Sequence, residues 1–239
     1  MPPETLEFSR RATLTEWMDE TRSYSELSAC LRDLAQVNRL LFAYRPTLNW
    51  LEQFASDRVS PLHIVDVGCG AGDMLRRIHS WSLKRGIKVQ LTGIDANPMA
   101  VQAAREWTAA GGQGIEWIAS DAASYHPSRP IDLVISSLVT HHLSDAEIVL
   151  FIRWMEQKAT RGWFINDLNR GRGSYYGFKL LASAMRWHRF VRHDGPVSIR
   201  RSFTPEDWSR YIAEAGLAAA SVRIFKARPG RLCVARAKG

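Results

Sequence analysis

The stretch VDVGCGAGD, residues 65–73, carries Gly68, Gly70 and Gly72 at alternate positions, two residues after Asp66. Glycines at that spacing let a ligand approach bare backbone, and the preceding LHIVDV reads as the strand that delivers the loop. A pyrophosphate-binding turn would want G-x-G-x-x-G, but position 73 is aspartate. Asp66 brings negative charge toward the loop, which disfavours a phosphate and suits an ammonium or sulfonium group. Two later strand-like runs also end in acid: GIDANP places Asp95 and then Ala96, and SDAAS places Asp121 and then Ala122. A carboxylate at Asp95 can accept hydrogen bonds from both ribose hydroxyls. Asp121 with the Ala122 amide can take an adenine amino group and ring nitrogen. Any one of these acids would serve equally as a turn or cap residue. Three of them on consecutive strand ends, after a glycine loop, point to a nucleoside that carries a cation.

A second chemical stretch is SSLVTHHLSD, residues 136–145. Ser136 and Ser137 end a fourth apolar run and are expected to face the same ligand, with Ser144 and Glu147 forming a capping box for the helix that follows. His141 and His142 are the leading candidates for a general base, ahead of His126 and His193. His63, early in a strand, and His79, on a helix, are poorer candidates. If the backbone stays extended, adjacent side chains point to opposite sides, so His141 is expected as the base and His142 as a packing residue. No Cys, Asp or Glu stands at ligand spacing from the pair, and no metal is expected.

The elements that must position these groups follow an alternating rhythm from residue 62. LHIVDV, KVQLTGID, IEWIASD, IDLVISS and GWFINDL are near-continuous apolar strands, separated by amphipathic helical segments such as MLRRIHSWSLKRG. That pattern implies a doubly wound α/β core with helices on both faces of a parallel sheet. Residues 1–60 read as a helical lid with an apolar face through Leu27, Leu31, Leu34, Asn38 and Leu41, and Pro46 breaks it before a second short helix. Residues 61–239 form the core, interrupted at 169–203 by an insertion with a helix near 174–188 followed by an irregular basic loop. Thr204, Pro205 and Asp207 then signal a helix start, and two closing strands flank RPG as an antiparallel pair.

The 239 residues are 46% hydrophobic and 23% charged, enough to bury a substantial core and unlike a disordered chain. The apolar runs fall far short of the roughly 20 residues that a bilayer crossing needs. The start lacks a basic segment followed by an apolar one, so a cytoplasmic location is expected. Cys30, Cys69 and Cys233 are scattered and odd in number, which suggests neither a disulfide framework nor a zinc site. The net charge is +8, and nearly all of it lies between Arg161 and Arg201, where nine Lys or Arg residues face only Asp167 and Asp194. Arg192, His193, Arg200 and Arg201 flank the turn-like DGP. They read either as a solvated, salt-bridged face or as a site for an anion on a small substrate or on an acidic carrier protein. Tyr175 and Tyr176, with other insertion aromatics and Trp17, Met18, Tyr24, Leu27 and Leu31 of the lid, are candidates for the substrate wall. Nucleic acid is a weaker partner, because no RNA-binding module is appended.

Through VDVGCGAGD, GIDANP, SDAAS and IDLVISSLVTHHL in that order, residues 62–239 resemble the class I S-adenosylmethionine-dependent methyltransferases. VNRLL near residue 40 and RHDGPVSIRRSFTP resemble bacterial small-molecule members linked to polyketide or phenolic-lipid pathways, although Phe42 and Ala43 stand where glycines are expected. The resemblance implies a Rossmann-like seven-stranded sheet with the last strand reversed. It implies S-adenosylmethionine as cofactor, with Asp66 and the loop Gly68-Cys69-Gly70 at the methionine, Asp95 at the ribose, and Asp121 with Ala122 at the adenine. The expected reaction is methyl transfer to a small-molecule acceptor, a phenolic or polyketide-like hydroxyl, by a monomer or homodimer. RNA or protein methylation is the alternative enzyme reading, and a non-catalytic cofactor-binding module the alternative of another class.

Overall fold

The computed structural model describes residues 6–20, 23–55, 60–109, 114–185, 187 and 189–238. Strands β1 (Leu62–Val67), β2 (Val89–Asp95), β3 (Ile115–Ala119), β4 (Ile131–Ser137), β5 (Ala159–Leu168), β6 (Arg223–Ala227) and β7 (Arg231–Ala237) make one sheet in the order β3-β2-β1-β4-β5-β7-β6. The first five run parallel, and β7 enters antiparallel between β5 and β6, as expected for the reversed last strand. Strand order reverses direction between β1 and β4, the point at which α/β sheets open a crevice for ligands.

The central strands carry apolar residues on both faces because both are covered. On one face Trp50, Phe54, Leu75, Ile78 and Phe164 pack together, and on the other Ile148, Ile152, Trp163, Trp208 and Tyr211 do so. Helix α3 (Asp73–Arg85) stops at Gly86, whose φ of 65° suits a residue without a β-carbon. The capping boxes at Ser144 with Glu147 and at Thr204 with Asp207 both form, starting α5 (Asp145–Lys158) and α8 (Pro205–Glu214). Helix α4 (Pro98–Ala109) fills the β2–β3 crossover.

Three helices cover the carboxyl ends of the strands. Cys30 and Val37 of α1 (Tyr24–Leu40) pack with Ala182 of α6 (Arg172–Ala184) and with Phe190 and Val191 of α7 (Arg189–Arg201). The helix expected at 174–188 is α6, and residues 186 and 188 lie outside the described ones. The irregular loop expected next is instead the helix α7, which runs through Asp194-Gly195-Pro196. Burial of Phe190, Val191, Asp194, Ser198 and Ile199 along one face outweighs the local breaking signal of that tripeptide. Gly195 is needed for packing, because a β-carbon there would lie 2.0 Å from the Phe178 ring. Between α1 and α2 (Arg45–Leu51), Phe42 adopts φ 50°, the left-handed conformation for which a glycine was expected. The Arg45 guanidinium lies 4.1 Å from the centre of its ring.

Candidate active site

A cleft of about 640 Å³ opens at the carboxyl ends of β1, β2 and β4. Asp66, Gly68, Cys69, Gly70, Asp95, Ala96, Asp121, Ala122 and Ser137 all line it, as the strand-end rule anticipates. Two expected members do not. Gly72 faces away, because a β-carbon there would strike the Trp117 ring at 2.1 Å, so its work is close packing of α3 on the sheet. Ser136 is buried and donates its hydroxyl to the Val67 carbonyl at 2.9 Å, tying β4 to β1.

The acids of the cleft are not equivalent. Asp95 accepts from the Gly70 amide at 2.8 Å and from the Asn97 amide at 2.9 Å, which holds the glycine loop against β2. Its carboxylate retains lone pairs for ribose hydroxyls. Asp121 is exposed and accepts from the Ser124 amide and hydroxyl at 2.8 and 3.0 Å, so it also builds its own turn. Asp66 is almost wholly buried, and its Oδ1 has no hydrogen-bond partner. Burial first, then the charges of Asp73 and Asp95, push its carboxyl well above the usual carboxylate range. A buried, unpartnered carboxylate oxygen at the wall of a cleft fits a cationic ligand. That is what the ammonium and sulfonium of S-adenosylmethionine require.

A second cavity, about 470 Å³, lies under the helical cap and shares Met18, Leu34, Asn38, Leu138 and His142 with the first. Its wall is largely apolar, with Val37, Phe178, Leu181 and Ile199, and its polar members include Glu16, His141 and Arg231. Leu138, at φ 60°, stands at the junction. Arg231 is buried; its Nη2 donates to Asn38 Oδ1 at 3.0 Å, and its Nη1 has no hydrogen-bond partner. Sequence reasoning missed Arg231 because it opens the strand β7, where an arginine reads as an edge charge.

The extended geometry expected to send the two histidines to opposite sides does not form. Thr140–His142 form a single 3-10 turn rather than extended chain, so the rings lie on the same side with centres 4.3 Å apart. His141 is buried away from the cofactor cleft, and its Nδ1 donates to Asp167 Oδ1 at 2.7 Å. Burial raises the Asp167 carboxyl, but the His141 ring and the Thr140 hydroxyl more than offset this and hold it below the usual range. His142 lines both cavities; its Nδ1 is 3.3 Å from Asp19 Oδ1. The expectation that no carboxylate accompanies the pair is corrected as well. Glu16 comes from the N-terminal segment to within 3.7 Å of His141 Nε2 and 3.9 Å of His142 Nε2. Nothing in the spacing of TEWMDE signals this. Asp167 was more accessible to sequence reasoning, as an acid within an otherwise apolar strand.

The basic segment acts mainly on the protein itself. Arg201 donates to the His141 and His142 carbonyls at 3.2 and 3.3 Å and pairs with Glu16 and Asp19. His193 stacks on Trp17 with ring centres 3.8 Å apart and bonds to Asp194. Asp194 in turn accepts from the Trp17 and Met18 amides at 2.9 and 3.0 Å. Arg192 is exposed, the Arg200 carbonyl accepts from the Ala12 amide, and neither side chain lines either cavity. Tyr175 is buried against Phe8, and Tyr176 points outward at 54% exposure, so of the insertion aromatics expected in the wall Phe178 lines the cavity and these two do not. His63 is held by Pro130 and Thr92, and His126 is exposed outside both cavities.

Residues 64–161 match the family described as Methyltransferase domain. Trans-aconitate 2-methyltransferase of Streptomyces coelicolor is 27% identical over 184 residues, 73% of this chain and 57% of the relative. The enzyme of the same name from Klebsiella pneumoniae is 32% identical over 120 residues, 49% of this chain and 42% of the relative. The chain thus spans only about half the length of these curated relatives. Among solved structures, the plantazolicin methyltransferase BpumL, in complex with a pentazolic desmethylPZN analog and SAH, aligns with a TM-score of 0.60 at 13% identity. The alignment covers 92% of this chain and 98% of that one. Magnesium protoporphyrin IX methyltransferase (ChlM) from Synechocystis, with bound SAM, aligns at 0.55 and 13% identity over 95% and 86% of the two chains. These two likenesses show the fold.

Proposed function

We propose that the chain is a class I S-adenosylmethionine-dependent methyltransferase that methylates an oxygen of a small acceptor held in the apolar cavity under the helical cap; the methyltransferase-domain match over residues 64–161 and the shared fold support the reading. The observation that carries this reading is the junction. Cofactor cleft and apolar cavity meet at Leu138 and His142, so a molecule filling the second presents one end to the first. S-adenosylmethionine, when bound, supplies a methyl group already activated on a sulfonium.

The chain's own residues then have few tasks. Asp66 and the glycine loop orient the cationic end of the cofactor, and Asp95 and Asp121 its nucleoside. Helix α1 and the segment carrying Glu16 and Met18, with α6 and α7, act as the cap that keeps water from the nucleophile, whereas Trp50 and Phe54 belong to the core. His142, with Nδ1–H directed at Asp19, presents Nε2 as the acceptor of a positive partner, in the simplest case the hydroxyl proton. His141, whose Nδ1 donates to Asp167, holds the turn that places its neighbour.

The acceptor has an apolar body and an anionic or carbonyl oxygen facing Arg231, whose unpartnered Nη1 replaces Arg192 and Arg200 as the candidate for anion recognition. Phenolic and polyketide-like compounds meet that description. The trans-aconitate methyltransferase relatives suggest a carboxylate as a second form.

Incubation with methyl-labelled cofactor and panels of phenols, carboxylic acids, acyl carriers and RNA tests the proposal. Label on a phenol or carboxylic acid, lost about 100-fold in kcat in His142→Gln with cofactor affinity retained, is the expected result. Label on RNA or carrier protein alone overturns it.

A further inference from the structure

Glu16, His141 and His142 form an arrangement that the chemistry of a base alone does not require. Each offers one ligand atom, and the three atoms lie within 4.8 Å of one another. Because a carboxylate only accepts, Asp167 fixes the proton of His141 on Nδ1, and Asp19 does the same for His142. Both Nε2 lone pairs are therefore left facing the Glu16 carboxylate at 3.7 and 3.9 Å. Three acceptors turned toward one another repel unless a proton, such as one carried by the buried Glu16 carboxyl, or a cation stands between them. Arg201 Nη1, 3.4 Å from Glu16 Oε1, meets one of the three, and its Nε and Nη2 are spent on backbone carbonyls.

We propose that Glu16, His141 and His142 hold a divalent first-row transition-metal ion at the wall of the acceptor cavity, in contact with the oxygen that receives the methyl group. Two imidazoles and one carboxylate suit zinc, iron, manganese or cobalt. Magnesium and calcium prefer oxygen ligands throughout. Bonds of about 2.0–2.2 Å at tetrahedral or octahedral angles put ligand atoms about 3.0–3.4 Å apart. Closure on the ion therefore draws each Glu16–His pair together by less than about 1 Å, and the widest pair, within 4.8 Å, by up to roughly 1.8 Å. The carboxylates on each Nδ1 supply the outer support that metal-bound histidines use. All three ligand residues line the acceptor cavity, which leaves coordination positions open toward it, the arrangement of a catalytic rather than a structural site. Glu16, Asp19 and Asp167 bring three carboxyl groups, against the one guanidinium, that of Arg201, at contact distance from Glu16 and Asp19 among the described residues, so the local charge favours a cation.

The role assigned to the ion rests on the acceptor cavity being what we propose; the site itself does not. Chelator-treated full-length protein is titrated with Co²⁺ by visible absorption and with Mn²⁺ and Zn²⁺ by calorimetry, without acceptor and without turnover. One equivalent is expected, with a cobalt ligand-field spectrum of nitrogen and oxygen ligation. Affinity should fall at least 100-fold in Glu16→Gln and about 10- to 100-fold in Asp19→Asn, with SAH binding showing that each variant has folded. Absence of stoichiometric binding, or a cobalt spectrum unchanged in Glu16→Gln, overturns the site. The thiolate absorption that would accompany ligation by Cys30, which lines the same cavity, would also overturn it. Metal binding as expected with no small acceptor methylated would sink the acceptor reading alone.

Discussion

Two aspartates, Asp66 on β1 and Asp167 on β5, are both essentially removed from solvent, yet their environments are opposite. Asp167 accepts from the His141 ring at 2.7 Å, the Thr140 hydroxyl at 2.5 Å, and the His141 and Leu168 amides at 3.2 and 2.7 Å. Asp66 leaves Oδ1 with nothing. The same burial therefore yields a carboxyl held below its ordinary range in one case and pushed well above it in the other. A saturated carboxylate fixes a neighbour, whereas an orphaned one is incomplete until a cation arrives. The first ties the turn of the two histidines to β5, and the second lines the strand-end cleft, where we propose that the cofactor binds.

Replacing one aspartate at a time should separate these roles. Asp167→Asn breaks a buried charged pair and should cost about 3–5 kcal/mol of stability in denaturant unfolding, while the surviving folded protein keeps its affinity for SAH. Asp66→Asn should do the reverse. Affinity for S-adenosylmethionine falls about 30-fold by calorimetry, and at pH above the raised value the ligand-free protein unfolds at a higher temperature because an unpartnered buried charge is gone.

The pH dependence sharpens the contrast, since the signs are opposite. Asp66 is protonated more readily folded than unfolded, so its contribution to ligand-free stability falls as pH rises from the ordinary aspartate range through its raised value. Cofactor affinity rises over that same window. Asp167 is protonated less readily when folded, so its contribution is present above the ordinary aspartate range and is lost as pH falls toward its depressed value. Stability differences between wild type and each Asn variant, measured from pH 3 to pH 8, should therefore slope in opposite directions; parallel slopes would remove the distinction. The smallest effect belongs to Ser136→Ala. It deletes one buried hydrogen bond to the Val67 carbonyl, costing about 1 kcal/mol, and should leave cofactor affinity unchanged although Ser136 adjoins the cleft-lining Ser137.

How much of this was readable in the sequence depends on the distance over which each feature is decided. The glycine loop, Asp95 and Asp121 were legible because a parallel strand puts its carboxyl end at the ligand crevice, and only local pattern is needed to find that end. Both capping boxes were legible for the same reason, each being complete within four residues. The path of α7 was not, because Asp-Gly-Pro argues locally for a turn while the packing of Phe190, Val191 and Ile199 argues for a helix. Ser136 and Ser137 looked equivalent from sequence; the pleat sends one into the sheet and the other into the cleft.

The sequence by itself determined the strand-helix alternation, the sheet's reversed closing strand and the acids that line the strand-end cleft, because each is written in residues close along the chain. Only the tertiary structure decided that one histidine lines both cavities and the other only the second, and with what partners. The 3-10 turn puts both rings on one side, and Glu16 reaches them from 125 positions away along the chain. Long-range proximity of that kind is produced by packing of the cap on the core, and no local spacing encodes it.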